Sequence, residues 1–67
     1  MKVGDRVKFR RDSKAWKQHG LEADAKGYVV EVYRDAEARG GYRVDVKFPG
    51  TPEPERGIDA DELEVVA

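Results

Sequence analysis

The clearest pattern in this chain is a strict alternation from Tyr42 to Phe48. Tyr42, Val44, Val46 and Phe48 fall on one side, and Arg43, Asp45 and Lys47 on the other. Successive side chains of a strand point to opposite faces, so this period of two predicts a β-strand with one buried face. Gly27 to Arg34 is rich in β-branched and aromatic residues and predicts a second strand. Its parity assigns Val30 and Val32 inward and Glu31 and Tyr33 outward. Nearer the start, Val3, Val7 and Phe9 share a side opposed by Lys8 and Arg10, which predicts a strand between Val3 and Arg10. Towards the end, Gly57-Ile58-Asp59 predicts a short strand. A 3₁₀ turn through Glu62-Leu63, capped by Asp59 or Asp61, then leads into a closing strand at Glu64-Val65-Val66.

Between these elements the chain is punctuated. Residues 11–26 read as a long loop holding one helical turn, with Asp12 or Ser13 as its cap, Gly20 as its end and Leu21 as its anchor in the core. Asp35 to Gly41 is a polar hairpin loop, and Pro49 to Glu55 an extended, solvated one. Parity then predicts one core of Val7, Phe9, Val30, Val32, Val44, Val46 and Phe48, with Tyr42 and Leu63 at its margins. For the central hairpin, the expected register sets Glu31 against Lys47 and Asp35 against Arg43. The register two residues away sets Glu31 opposite Asp45, and like charges directly opposed are destabilising.

Length and composition narrow the functional classes. Sixty-seven residues make one domain, 1–67. A chain of this size buries only roughly 60% of its unfolded surface, which leaves little room for a deep pocket. With no cysteine there is no disulfide and no thiolate ligand or nucleophile. No apolar run reaches the roughly 20 residues of a membrane span, and Met1-Lys2-Val3-Gly4-Asp5 lacks the apolar stretch of a signal peptide. The expectation is a cytoplasmic protein with no membrane partner.

Charge changes the picture in one respect. Charged residues make up 40% of the chain, yet the net charge is −1, which argues against a dedicated polyanion binder. The distribution is uneven. Seven Lys and Arg lie in residues 1–19 against Asp5 and Asp12, while residues 53–67 hold six acids against Arg56. The two ends are complementary and are expected to face each other.

The chemistry on offer is thin. Ser13 and His19, with Asp12 or Asp24, carry the residue types of a nucleophilic triad, but all four lie in one loop with no rigid element to hold them. Ser13 is read as a cap and His19 as a surface histidine. The acidic stretch from Asp59 to Glu64 lacks the glycine and spaced ligands of a calcium loop, so no metal site and no cofactor are expected. Trp16 stands alone in a basic loop between Lys14 and Lys17, either as an interface anchor or as cover over one end of the core. Tyr33 is the exposed aromatic on the second strand. With Arg10, Arg11 and Lys17, these two complete the candidate partner-binding set.

Three stretches carry a family resemblance: Val3-Gly4-Asp5-Arg6-Val7; Lys26-Gly27-Tyr28-Val29-Val30-Glu31-Val32; and Val44-Asp45-Val46-Lys47-Phe48 followed by Asp61-Glu62-Leu63-Glu64-Val65-Val66. They resemble the SH3-like superfamily, and the middle one is similar to a KOW motif, whose glycine permits close backbone approach. The resemblance implies an all-β, five-stranded SH3-like barrel with a long first loop and one 3₁₀ turn before the last strand. The order is also similar to the variable chain of ferredoxin–thioredoxin reductase and to the small barrel subunit of photosystem I, non-catalytic barrels that brace or dock redox partners. Plasmid-type dihydrofolate reductase is a further small barrel. Its Val-Gln-Ile-Tyr run corresponds here to Arg56-Gly57-Ile58-Asp59, which keeps only the isoleucine.

Together these observations rank three classes. First is a non-catalytic protein-interaction or scaffold module, a monomer or small homo-oligomer. Second is a KOW-like nucleic-acid module, with weak binding expected from the charge balance. Third is a small enzyme assembled by oligomerisation.

Overall fold

The structure, a computed structural model, describes residues 1–66; the last residue of the expected domain, Ala67, lies outside them. It is all-β apart from two short turns: β1 (Arg6–Phe9), α1 (Ala15–Gln18), β2 (Lys26–Arg34), β3 (Tyr42–Lys47), β4 (Glu55–Asp59), a 3₁₀ turn (Ala60–Glu62) and β5 (Leu63–Val65). The five strands form one antiparallel sheet in the order β4-β3-β2-β1-β5. No ladder joins β4 to β5, so hydrogen bonds do not close the sheet.

The sheet nevertheless curls. Laid flat, four strand spacings would separate β4 from β5 by about 19 Å. Only Ala60–Glu62 connects them, and a 3₁₀ turn of that length spans about 8 Å. The edge strands therefore approach each other, and Ile58 of β4 and Leu63 of β5 join the same cluster as Val7, Phe9, Val29, Val44, Val46 and Phe48. Phe9 and Phe48 stack at its centre, ring centroids 5.7 Å apart and 6° from parallel. Trp16, Leu21, Ala25 and Val32 pack against this core from its margins.

The expected core holds except on β2. Val29 is buried at 1% exposure, whereas Val30 is 41% exposed. The cause is a bulge. Val29 pairs with Val46 and Glu31 with Asp45, so Val30 is an extra residue with no partner on β3. One inserted residue reverses the parity of everything on one side of it. Tyr28 and Val30 consequently face outward, while Val32 remains inward. Tyr42, expected at the core margin, is exposed and lies beneath the Arg34 guanidinium, 5.9 Å from its ring centroid.

The same ladder corrects the expected hairpin register. Glu31 sits opposite Asp45 and Tyr33 opposite Arg43. Repulsion does not decide the pairing, because Asp45 is engaged elsewhere. Its carboxylate accepts hydrogen bonds from the Tyr33 hydroxyl (3.1 Å) and the Gly57 amide (2.9 Å), with Arg56 at 3.7 Å. The expected attraction between Asp35 and Arg43 survives as a diagonal contact, Arg43 Nε to Asp35 Oδ2 at 2.7 Å, although the two are not register partners.

Two glycines make these contacts possible. A Cβ on Gly27 would lie 2.5 Å from the Lys47 carbonyl oxygen and 2.8 Å from Val46, so β2 can approach β3 here only without a side chain. Gly57 has φ +72°, and Arg56-Gly57 together oppose Asp45, a second bulge that turns the Gly57 N–H onto the Asp45 carboxylate.

Candidate functional site

The loop between β1 and β2 is built around its own backbone. Ser13 Oγ accepts a hydrogen bond from the Ala15 amide at 3.1 Å, starting the single turn of α1. The Leu21 amide returns to the Trp16 carbonyl at 3.0 Å and closes it. This turn sets Trp16 half-buried against the core. The Lys17 ammonium lies 5.4 Å from the indole centroid, a cation–π contact. His19 Nδ1 meets Glu55 Oε1 at 3.1 Å, the one side-chain hydrogen bond between residues 11–25 and the rest of the described chain.

Beside Trp16 runs a groove of about 650 Å³. Trp16 supplies its apolar wall over the buried Phe9, and Lys8, Arg10, Arg11 and Lys26 surround it, with Asp24 and Glu64 as the acidic members. β1 and β5 place Lys8 opposite Glu64, and their side chains pair at 3.4 Å. Arg10 reaches Asp12 at 3.9 Å. Arg11 and Lys26 form no ion pair among the described residues.

Of the sequence-based candidates, the structure brings Trp16, Arg10 and Arg11 to this groove, with Lys17 against the indole. Tyr33 lies elsewhere, its hydroxyl on Asp45 beside Gly57. Sequence reasoning missed Lys8 and Lys26, because their position depends on β1 pairing with both β5 and β2. The complementary termini do face each other among the described residues, through the Lys8–Glu64 ion pair and the His19–Glu55 contact. Asp59 and Asp61 turn towards the β2–β3 hairpin instead. Asp59 accepts from the Arg39 amide at 2.9 Å and from the Asp61 amide at 3.0 Å. Burial pushes the Asp59 carboxyl upward, but these two amides and the nearby charge of Arg43 outweigh it and hold the group below its ordinary value.

Ser13 Oγ accepts from the Ala15 amide and His19 Nδ1 meets Glu55, so the two have separate partners. Among the described residues, no group of three or more His, Asp or Glu is disposed to hold a metal ion. Nor, among the described residues, is any helix long and apolar enough to cross a membrane. No protein-family model, curated protein or solved structure matches this chain.

Proposed function

We propose that this protein is a non-catalytic protein-interaction module on an SH3-like barrel scaffold, docking a partner along the groove beside Trp16. The curled sheet, with its meander order, long first loop and 3₁₀ turn before the last strand, supports the scaffold reading. One observation carries the functional reading: a half-buried indole, positioned by its own turn, lines a groove whose surrounding charges are mostly cations. Aromatic and arginine side chains are the residues most often found at binding hot spots. The absence of cysteine is in keeping with a reducing compartment such as the cytoplasm.

The test is retention of host proteins on the immobilised chain at about 150 mM salt after nuclease treatment, a salt level at which long-range attraction between exposed charges is largely screened. A partner that binds the wild type and is lost from both Trp16→Ala and the Arg10→Ala/Arg11→Ala double variant supports the reading. Binding indifferent to both substitutions refutes it. Circular dichroism of each variant establishes that the fold is retained.

The same cations support a second reading, binding of single-stranded nucleic acid with a base stacked on Trp16. Salt separates the two. Phosphate binding falls steeply between about 50 and 150 mM salt, whereas an apolar-anchored protein contact changes far less.

A further inference from the structure

We infer that the groove beside Trp16 recognises an acidic, extended protein segment with an apolar residue between its carboxylates, and that the chain's own Glu64 competes for the same cations. The inference rests on the proposed docking role of the groove and specifies the chemistry of its occupant.

The argument begins with Lys8 and Glu64. Their pairing at 3.4 Å shows where a carboxylate fits against the groove's first cation. Both side chains are about two-fifths exposed, so the pair is well hydrated and contributes little on its own. An incoming carboxylate can replace Glu64 at small cost. Arg11 and Lys26 have no partner of their own among the described residues, so an acidic ligand there displaces only water. With these cations Trp16 lines the groove, an apolar surface that suits one aliphatic or aromatic side chain.

The internal carboxylates favour a peptide over a polynucleotide. Asp24 and Glu64 line the groove among the cations. A phosphate backbone carries a charge at every nucleotide and would meet them, whereas a peptide can place its acids at the cations alone.

Trp16 is the only tryptophan, so its fluorescence reports directly on the groove. The probes are two acetylated, amidated peptides, Glu-Glu-Leu-Glu-Glu and Gln-Gln-Leu-Gln-Gln, and a single-stranded oligothymidine. The expected result is saturable binding of the acidic peptide at about 50 mM salt, roughly tenfold tighter than its glutamine counterpart. Arg11→Gln and Lys26→Gln should each weaken it about threefold or more, and Glu64→Gln should strengthen it about two- to threefold. This last effect has the opposite sign to that of losing a ligand contact. If Glu64→Gln lowers the melting temperature, the tightening is read instead from the Lys8 side-chain NMR shifts at a temperature where both proteins are folded.

Equal binding of the two peptides overturns the inference while leaving an apolar docking groove in place. Tighter binding of oligothymidine than of the acidic peptide overturns it in favour of nucleic acid. No response to the acidic peptide at millimolar concentration also overturns it. The broader docking role then still stands or falls on whether a host partner is lost with Trp16→Ala.

Discussion

The Tyr33 hydroxyl donates to the Asp45 carboxylate at 3.1 Å, across the two strands that form the most extensive pairing in the sheet. Asp45 is 7% exposed, yet it lies on the side of β3 opposite the core residues Val44 and Val46. It is covered because the Arg56-Gly57 bulge of β4 folds over it and Tyr33 closes it from β2. A carboxylate thus fastens three strands from outside the core.

Removing it should be costly. Asp45→Ala leaves the half-buried Gly57 amide and the Tyr33 hydroxyl without this acceptor, and should destabilise by about 1.5–3 kcal/mol. For a domain this small that is a large share of a total of roughly 3–10 kcal/mol. Tyr33→Phe, which removes one donor and leaves the Gly57 bond intact, should cost about 1 kcal/mol. Urea unfolding followed by circular dichroism measures both, and equal costs would mean that the Gly57 bond contributes nothing.

The bulge on β2 makes neighbouring valines unequal. Val29→Ala removes two buried methyl groups from the core and should cost about 2 kcal/mol. Val30→Ala, at an exposed and unpaired position, should change stability by less than about 0.5 kcal/mol. The pair measured side by side decides whether the inserted residue is Val30. A larger loss at Val30 would place the bulge elsewhere.

Gly27→Ala should be among the most damaging single substitutions. The added carbon meets a backbone oxygen at 2.5 Å rather than the end of a flexible side chain, so the two strands must separate. Overpacking of this kind costs about 1–3 kcal/mol, at the upper end where backbone must move. Amide hydrogen exchange should show lost protection at Val46 and Lys47 before β4 is affected.

Acid should weaken the fold through three carboxylates. Asp5 is held below its ordinary value by the Lys2 amide and then its ammonium, Asp35 by the Glu37 amide and then Arg43, and Asp59 as described above. A group whose folded pKa lies below its unfolded one stabilises the fold above the unfolded value, about 3.9 for aspartate. That contribution is lost as the pH falls through the folded value. Tyr33 has the reverse sign. Loss of hydration first, and then the hydrogen bond and charge of Asp45, raise its phenol, so the stability it confers is present below about pH 10 and lost above. Denaturation midpoints should therefore fall below about pH 4 and again above about pH 10, with the alkaline loss diminished in Tyr33→Phe. Insensitivity of that loss to Tyr33→Phe would refute the assignment.

What the sequence determined by itself was the set of strands and most of what they bury. Alternation at Tyr42–Phe48, and apolar positions at Val7, Phe9 and Leu63, are local patterns whose period forces a strand and whose apolar face must leave water. Tertiary structure decided where pairing departs from that period. Val30 was assigned inward because parity assumes no inserted residue, and an insertion in one strand exists only relative to its neighbour. Glu31 faces Asp45 because Asp45 is satisfied by Tyr33 and Gly57, partners 12 residues away on either side that no pairwise charge rule between two strands takes into account. The groove follows the same division. Trp16, Arg10 and Arg11 stand out by residue type in a basic loop, whereas Lys8, Lys26 and Glu64 join them only because β1 lies between β2 and β5. Local chemistry is written along the chain, but which charges become neighbours is set by strand order, and strand order is a property of the folded whole.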